Sequence, residues 1–351
     1  MGQPIVIAHR GASGHVPEHT LAAYALAVFQ GADFIEPDLV STRDGALIAR
    51  HDNRLELTTD VAKRPEFAEM YASKEVNGRT QHGWFSEDFD LEQIKRLRAV
   101  ERLPDLRPAN CRFDGQFEVP TFDEVIELAR SLGRLTGRCI GVYPETKFPS
   151  HFASLGLALE VPLVASCHRV GWDSPESPVF LQSFEVGNLQ QLAQLTRLPR
   201  VQLLDAQGQP EDFRRRGQAT SYRQMSGEHG LDGIATYAQA IGPDKRLMGW
   251  SSSAIDAGLQ AGAVLVERAR QRGLAVHPYT FRRENAFLPA SLRRADASGA
   301  VVPGGSGDLE AELAAFLALG IDGFFVDHPE VGRAAVDRLS DSAILPKDSR
   351  W

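Results

Sequence analysis

The sequence has little cysteine, an excess of acidic over basic residues and no long apolar run. Its three cysteines, Cys111, Cys139 and Cys167, lie too far apart for a disulfide framework or a cysteine metal motif, so we expect free thiols. Lys and Arg together number 38 against 46 Asp and Glu, a formal net charge of −8. This balance argues against nucleic acid and anionic membranes as partners, because both require a basic face. No segment approaches the roughly eighteen consecutive apolar residues of a membrane span, so we expect a small-molecule partner and no stable membrane insertion.

Short apolar, β-branched runs alternate with helical patterns along most of the chain. This alternation is typical of a parallel sheet, and the near-continuous hydrophobicity of the runs indicates that both faces are covered. Eight such strands predict an α/β fold, the (β/α)₈ or TIM barrel, for which 351 residues are enough. Periodicity alone does not separate the eighth candidate, Ala238–Gly242, from the end of a helix. The other predicted strands are Ile5–Ala8, Phe34–Val40, Cys139–Tyr143, Val179–Phe184, Val201–Leu204, Ala275–Tyr279 and Gly323–Val326.

Several predicted helices carry signals at their ends. Thr121 and Glu124 form a capping-box pattern, and Gly133 stands where a C-terminal cap is expected. Asp308 precedes a second helical pattern, which closes at a glycine. A third pattern covers residues 254–272 and has arginines near its end, where the helix dipole favours cations.

Residues 52–120 depart from the alternation of strands and helices. The segment is polar, charged and aromatic, and its one helical pattern runs from Leu91 to Arg98 behind Asp90. Loops at the C-terminal ends of barrel strands are where such folds keep binding and specificity elements. We therefore predict that residues 1–351 form a single TIM-barrel domain with residues 52–120 as an insertion on the catalytic rim.

Glu36 and Asp38 are two acids within an otherwise apolar strand. Residues two apart on a strand point to the same side, so both carboxylates would face one cavity. Two like charges buried together need a cation between them or a shared proton. Pro37 cannot donate a ladder hydrogen bond, which predicts that the strand ends there, at the rim. Taken alone, the two acids fit a solvated edge strand equally well.

A third acid, Glu145, follows the predicted strand Cys139–Tyr143, and Lys147 lies two residues further on. Three carboxylates from two strand ends make an all-oxygen site, which suits Mg²⁺ or Ca²⁺ and not zinc. Lys147 would then reach a phosphate group. Without the other acids, a surface ion pair between Glu145 and Lys147 would be the simpler interpretation.

Two histidines also follow strands. His9 and Arg10 end the first strand, where Gly11 and Gly14 let the backbone turn tightly and approach a ligand. His9 titrates near neutrality, and Arg10 offers a bidentate fork to phosphate oxygens. His51 ends a second extended run. One histidine at a strand end is usually a polar cap, but two of them beside a carboxylate cluster favour acid–base catalysis.

Five ordered segments resemble motifs of one known family, the glycerophosphodiester phosphodiesterases. They are HRGASGHVPEHT, FIEPDLVSTRDGALIARHD, YPETK, LQSFE and VHPYTFR. The resemblance runs from about Ile5 to Pro329. The EHT and VHPYT forms are most similar to the longer, periplasmic bacterial type. That likeness points to the periplasm, although the sequence begins in a strand-like run without an export signal. The location would be periplasmic if a leader was removed and cytoplasmic otherwise.

The resemblance implies an enzyme that hydrolyses glycerophosphodiesters to sn-glycerol 3-phosphate and an alcohol, on a barrel whose sixth strand lies at Ala238–Asp244. It further implies one divalent cation, Ca²⁺ or Mg²⁺, held by Glu36, Asp38 and Glu145, with His9 and His51 as acid and base and Arg10 and Lys147 as phosphate contacts. Many relatives carry Asn in place of His19, and Trp with Asn near Tyr279 and Arg282. These departures do not touch the metal or the two histidines, but they leave the glycerol contacts and the headgroup preference open.

Residues at the ends of later strands complete the predicted site. Gln182 would hydrogen-bond a substrate oxygen, and Phe184 or Tyr279 would pack on the glycerol carbons. For Phe184 alone, core packing is the simpler interpretation. His277 faces the same alternative and is not assigned to the catalytic set.

Two other functions fit parts of this pattern. A phosphodiesterase acting on lysophospholipids or other lipid diesters would use nearly the same residues but needs an apolar docking surface. Residues 52–120 offer scattered aromatics, including Trp84 and Phe85, among many acids. A barrel that only binds phosphorylated ligands would tolerate loss of either histidine, whereas both are present with all three acids. The oligomeric state is not determined by the sequence.

Overall fold

A computed structural model describes residues 3–253 and 259–344. Its strands are β1 (Ile5–His9), β2 (Phe34–Glu36), β3 (Asp38–Ser41), β4 (Leu47–Ala49), β5 (Ala72–Val76), β6 (Arg79–Gly83), β7 (Gly141–Val142), β8 (Glu145–Thr146), β9 (Leu181–Ser183), β10 (Arg200–Leu204), β11 (Ala240–Pro243), β12 (Ala275–Val276) and β13 (Gly323–Val326). Its α-helices are α1 (Leu21–Phe29), α2 (Leu91–Ile94), α3 (Phe122–Thr136), α4 (Pro149–Ser154), α5 (Glu160–Arg169), α6 (Val186–Leu195), α7 (Glu211–Arg215), α8 (Tyr222–Met225), α9 (Glu228–Ile234), α10 (Leu259–Arg270), α11 (Leu309–Leu317) and α12 (Pro329–Ile344).

The parallel strands follow one another around a barrel. One run of paired strands is β13, β1, β2 and β7, and the other is β12, β11, β10, β9, β8 and β3. The two runs join where β2 continues into β3. They also join where Asp322 N–H donates to Val276 O and Phe325 N–H donates to Pro278 O, each at 3.0 Å. This arrangement confirms the predicted TIM barrel, and β11 confirms its sixth strand.

The second barrel strand does not end at Pro37, contrary to the prediction. The ladder is interrupted there because proline has no N–H, but pairing resumes at Asp38. β2 pairs with β7, whereas β3 pairs with β8 and with the antiparallel β4. Glu145 N–H donates to Pro37 O at 2.9 Å and so links the two strands across the interruption.

The helix ends show which glycine takes the left-handed conformation. Thr121 and Glu124 form the predicted capping box of α3, but the helix continues through Gly133 to Thr136. The prediction of Gly133 as the C-terminal cap is therefore wrong, because Gly137 (φ 67°) ends the helix instead. Asp308 caps α11 as predicted, accepting from Ala311 N–H.

Two further helices differ in length from the prediction. The helix behind Asp90 has its capping box but covers only Leu91–Ile94, not the full stretch to Arg98. Helix α10 covers Leu259–Arg270, and the predicted start of this helix at residue 254 lies outside the described residues.

The apolar interior forms two layers. The larger cluster fills the space between strands and helices, while a smaller one is made by inward-facing residues of the strands and their ends. The smaller cluster consists of Ile7, Tyr143, Val201, Ala240 and Phe325. The three cysteines are free, as expected. Within residues 3–253 and 259–344, no helix combines the length and the apolar character needed to cross a membrane.

Candidate active site

A cavity of about 380 Å³ lies at the carboxyl ends of the barrel strands. Nine of the ten residues singled out in the sequence line it. They are His9, Arg10, Glu36, His51, Glu145, Lys147, Gln182, Phe184 and Tyr279. The tenth residue, Asp38, has a carboxylate oxygen within 4.8 Å of those of Glu36 and Glu145. The barrel therefore brings all ten residues together, as parallel strands with a common end should.

The carboxylates of Glu36, Asp38 and Glu145 are buried side by side. Burial and the Asp38 carboxylate raise the pKa of Glu36 well above its usual value, and burial raises that of Glu145 to about 8. Three such acids cannot all be ionised at neutral pH without additional positive charge. An all-oxygen group with this deficit of positive charge could hold a hard divalent cation.

Two basic side chains partly neutralise the negative charge of these carboxylates. Lys147 Nζ lies 2.7 Å from Glu145 Oε1 and 3.8 Å from Asp38 Oδ1. Arg10 Nε lies 3.2 Å from Asp38 Oδ2, and Arg10 N–H donates to Glu36 Oε2 at 2.8 Å. Glu145 and Lys147 are only 6% and 8% exposed, so their pair is buried and the surface-ion-pair interpretation is wrong.

The turn after β1 depends on glycine. Gly11 has φ 85°, and a Cβ there would lie 2.7 Å from the backbone carbon of Ala23. A Cβ on Gly14 would lie 2.2 Å from the His328 ring. Both distances are too short for any side chain, which confirms that these glycines permit a tight turn. The turn holds Arg10 itself in the left-handed region, at φ 60°.

His9 is oriented by a carboxylate. Its Nδ1 lies 2.7 Å from Asp327 Oδ1, while Asp327 Oδ2 accepts from Arg107 at 2.6 Å and from Arg282 at 2.9 Å. Although burial opposes ionisation, these arginines hold the pKa of Asp327 well below its usual range. An ionised carboxylate can only accept, so Nδ1 carries the proton and Nε2 remains available. Burial and the nearby Arg10 lower the pKa of His9 to about 4.

His51 lies across the same cavity with a carboxylate beside it. Its Nδ1 is 3.2 Å from Asp52 Oδ2, which also lies 2.8 Å from Arg102 Nη2. Burial, followed by the charges of Arg10 and Lys147, lowers its pKa to about 3. The side chain retains 29% exposure, so the ring is accessible from the cavity.

Charged residues that were not predicted from the sequence lie behind the two histidines. Asp327 contacts His9, and Glu18 accepts from Arg10 at 3.0 Å and from Arg102 at 2.8 Å. Asp327 directly follows β13, so the strand-end argument that identified His9 could also have identified it. Arg102 and Arg107 lie in residues 52–120, where no regular pattern indicates which side chains face the barrel.

His19 is not a contact of the cavity. It is completely buried, its Nε2 lies 2.9 Å from Asp38 Oδ2, and its Nδ1 lies 2.8 Å from the Tyr24 hydroxyl. His19 therefore supports the carboxylate of Asp38 directly.

Gln182 presents an unpartnered acceptor. Its Nε2 donates to Glu36 Oε1 at 3.0 Å and to Tyr143 O at 3.2 Å. Both neighbours are acceptors, so the amide must direct its NH₂ towards them. Its Oε1 has no hydrogen-bond partner among the described residues, although the side chain is 1% exposed.

Phe184 and Tyr279 form an aromatic wall of the cavity. Phe184 is half-buried, and its ring centroid lies 6.0 Å from that of Tyr279 and 5.9 Å from that of Tyr222. Lys147 Nζ lies 5.7 Å from the Phe184 ring centroid. The Tyr279 hydroxyl donates to Leu204 O at 3.1 Å.

The fold is that of a TIM barrel with a polar cavity at the carboxyl ends of its strands, and comparisons with known proteins give its family. Residues 9–331 match the Glycerophosphoryl diester phosphodiesterase family, and the chain belongs to it. The glycerophosphodiester phosphodiesterase GDPD6 of Arabidopsis thaliana is 35% identical over 302 residues, 82% of this chain and 76% of that protein. The Haemophilus influenzae glycerophosphodiester phosphodiesterase is 30% identical over 327 residues, 84% of this chain and 86% of that protein.

Solved structures support the same fold. An Oleispira antarctica phosphodiesterase in complex with the product sn-glycerol 3-phosphate has a TM-score of 0.59 at 19% identity, covering 95% of this chain and 97% of the other. A glycerophosphodiester phosphodiesterase from Agrobacterium tumefaciens has a TM-score of 0.55 at 21% identity, covering 94% of this chain and 99% of the other.

Proposed function

We propose that this enzyme releases sn-glycerol 3-phosphate from small glycerophosphodiesters, with one Ca²⁺ or Mg²⁺ on Glu36, Asp38 and Glu145. The observation that carries the proposal is the convergence of three buried carboxylates and two histidines on one cavity. The names of the Arabidopsis and Haemophilus relatives and the product bound in the Oleispira structure support it.

Arg10 and Lys147 bind the phosphate group in this proposal. Both line the cavity beside the acids and carry positive charge at neutral pH. Their charges would hold the diester anion and stabilise the pentacoordinate state, in which negative charge on the oxygens increases. A divalent cation on the three carboxylates would neutralise them and polarise a phosphoryl oxygen.

His9 and His51 move the protons. One ring withdraws a proton from the attacking oxygen while the other protonates the leaving alcohol. Since Asp327 accepts from His9 Nδ1, the transfer at His9 uses Nε2. The negative charge of the bound diester favours the protonated form of a nearby imidazole, which offsets the lowered pKa of the ring that acts as the acid. The attacking oxygen belongs either to water or to the 2-hydroxyl of the substrate. Attack by the 2-hydroxyl would expel the alcohol and give a cyclic phosphate, which water then hydrolyses.

Gln182, Phe184 and Tyr279 orient the glycerol. The available atom of Gln182 is the acceptor Oε1, so it pairs with a substrate hydroxyl and not with a phosphate oxygen, which cannot donate. Phe184 and Tyr279 supply apolar surface for the glycerol carbons.

We also propose that residues 1–351 form one domain with residues 52–120 as a rim insertion. The ion pairs of Arg102 with Glu18 and of Arg107 with Asp327 support this view, because they join that segment to residues behind the cavity.

The test is a glycerol 3-phosphate release assay on glycerophosphocholine, glycerophosphoethanolamine and glycerophosphoinositol. We expect release, loss of activity with a chelator and recovery with added Ca²⁺ or Mg²⁺. Lysophosphatidylcholine micelles serve as the comparison substrate. Hydrolysis of the micelles with no turnover of the soluble diesters would replace this proposal with the lipid-directed function.

A further inference from the structure

A second cavity, of about 670 Å³, adjoins the first. Glu145, Lys147 and Phe184 line both cavities. The second cavity also includes the turn of the β5–β6 hairpin, Val76–Arg79, and loop residues that follow β9 and β10. The proposed phosphate contact Lys147 therefore lies where two binding spaces meet.

A phosphodiester carries two organic arms on one phosphorus, so an enzyme that binds it needs space on two sides of the phosphate. We propose that the second cavity binds the alcohol arm of the substrate, and that it is built for an uncharged, polyhydroxylated alcohol such as a cyclitol, a sugar or glycerol. This inference rests on the function proposed above and adds the substrate class.

The size and construction of the two cavities assign the arms. The first cavity is the smaller, is built from strand ends and contains the Gln182 acceptor, which suits the three-carbon glycerol common to every substrate. The second is the larger and is lined mainly by loop and hairpin residues. Loops on a rigid scaffold are where specificity elements are placed, so this cavity suits the arm that differs between substrates.

The polar lining of the second cavity favours hydroxyl groups. Two acids of the lining are paired with basic residues of the same lining, since Glu145 Oε1 lies 2.7 Å from Lys147 Nζ and Glu211 accepts from Arg214 at 2.6 Å. The carboxamides of Asn77, Gln81 and Gln207 also line the cavity. A carboxamide both donates and accepts hydrogen bonds, as a hydroxyl does, so such a lining matches a polyol.

The aromatic lining argues against a quaternary ammonium group. Recognition of choline needs aromatic faces that are open to the cation. Of the three aromatic residues that line the second cavity, Phe148, Phe184 and Tyr222, the ring of Phe184 already contacts Lys147 Nζ at 5.7 Å and the ring of Tyr222 at 5.9 Å. The ammonium of Lys147 would also repel a second cation at this position.

The test is a substitution that reduces the space in the second cavity and leaves the lining of the first unchanged. Gln207 is exposed and lines only the second cavity, so Gln207→Trp adds bulk there and leaves the proposed catalytic residues intact. We expect kcat/KM for glycerophosphoinositol to fall about tenfold or more, while that for glycerophosphomethanol, whose alcohol arm is one carbon, changes less than about twofold. Gln271→Trp, at an exposed position after α10, is the matched control and should leave both values unchanged.

The wild-type enzyme tests the chemical class. We expect a higher kcat/KM for glycerophosphoinositol than for glycerophosphocholine, and the reverse order would overturn the assignment of a polyol. For Gln207→Trp, equal losses of kcat/KM on glycerophosphoinositol and glycerophosphomethanol, or no loss on either, would overturn the assignment of the second cavity to the alcohol arm. Failure of the proposed function itself is distinct, because the wild type would then release no glycerol 3-phosphate from any of the diesters.

Discussion

His9 and His277 are both largely buried histidines of the barrel strands, yet they stand in different surroundings. Burial is the first cause that lowers the pKa of each, to about 4 for His9 and to about 3 for His277. His9 contacts the Asp327 carboxylate and lines the first cavity. His277 lies 2.7 Å from the Tyr143 hydroxyl, packs against the rings of Tyr143 and Phe180, and lines neither of the two cavities.

The comparison shows that a lowered pKa does not by itself identify a catalytic histidine. Burial disfavours the charged imidazole wherever it occurs. Catalysis also needs a ring nitrogen that reaches the substrate and a partner that fixes the tautomer. His9 lines the cavity and has the Asp327 carboxylate as its partner, whereas the partner of His277 is a hydroxyl inside an aromatic layer. Substitutions at the two positions should therefore affect different properties, activity for His9 and acid stability for His277.

The largest effect is expected from the cavity histidines. His9→Ala and His51→Ala should each lower kcat/KM for glycerol 3-phosphate release by about 10²- to 10⁴-fold, because each removes a proton-transfer group. Circular dichroism should show that both variants fold. His277→Phe is the matched control and should retain most of its activity. A fully active His9→Ala enzyme would contradict the assignment of His9 to acid–base catalysis. It would also contradict the functional difference between His9 and His277.

Asp327→Asn tests whether the carboxylate is what distinguishes His9. Asp327 raises the pKa of His9 through its charge and its hydrogen bond, so the variant should lower that pKa further. We expect kcat/KM to fall about 10- to 100-fold, as for other residues that orient a functional imidazole. The ring ¹⁵N shifts of His9 should change with the tautomer, which a merely structural role would not cause. Asp337→Asn removes a surface pair with Arg333 of 2.8 Å and serves as the control. Unchanged ring shifts in Asp327→Asn would contradict the positioning role.

The sequence was sufficient to predict the barrel and the residues around the first cavity. Glu36 and Asp38 could be predicted to lie together because strand side chains alternate with a period of two. Glu145, His9 and Gln182 could be added because parallel strands end on one side of a barrel. These predictions depend only on the spacing of residues within a strand and on the direction of the strands, and both can be read from the sequence.

The supporting contacts could not be predicted in this way. Arg107 reaches Asp327 across 220 residues, and Arg102 reaches Glu18 across 84. Such pairs depend on how an irregular segment folds over the barrel, and no sequence period specifies that path. The contact of His19 with Asp38 could not be predicted for a related reason, since no sequence period indicates the left-handed backbone, φ 53°, that directs its ring towards Asp38.

Gln182→Ala tests a cavity residue that is proposed to bind the substrate without transferring a proton. The variant removes the acceptor Oε1, so kcat/KM for glycerophosphodiesters should fall about tenfold. As competitive inhibitors, sn-glycerol 3-phosphate should bind the variant about tenfold more weakly than the wild type, while its analogue without the 2-hydroxyl should bind both enzymes about equally if that hydroxyl is the donor. Asn188→Ala, a buried amide behind β9 that lines neither cavity, is the control. Equal losses of affinity for the two inhibitors would contradict recognition of that hydroxyl.

The smallest effect concerns His277 and appears in stability. Its pKa falls from 6.5 to about 3 on burial, so between these values the unfolded chain binds a proton that the folded chain excludes. The unfolding free energy should therefore decrease as the pH falls from about 6.5 towards 3, and His277 contributes up to about 1.4 kcal/mol per pH unit. His277→Phe should make this decrease shallower in urea denaturation between about pH 4.5 and 6.5, while His229→Phe, at a fully exposed side chain, should not. Identical slopes of unfolding free energy against pH in His277→Phe and the wild type would mean that burial does not keep this ring neutral. The contrast between His9, expected to affect activity, and His277, expected to affect acid stability, would then fail.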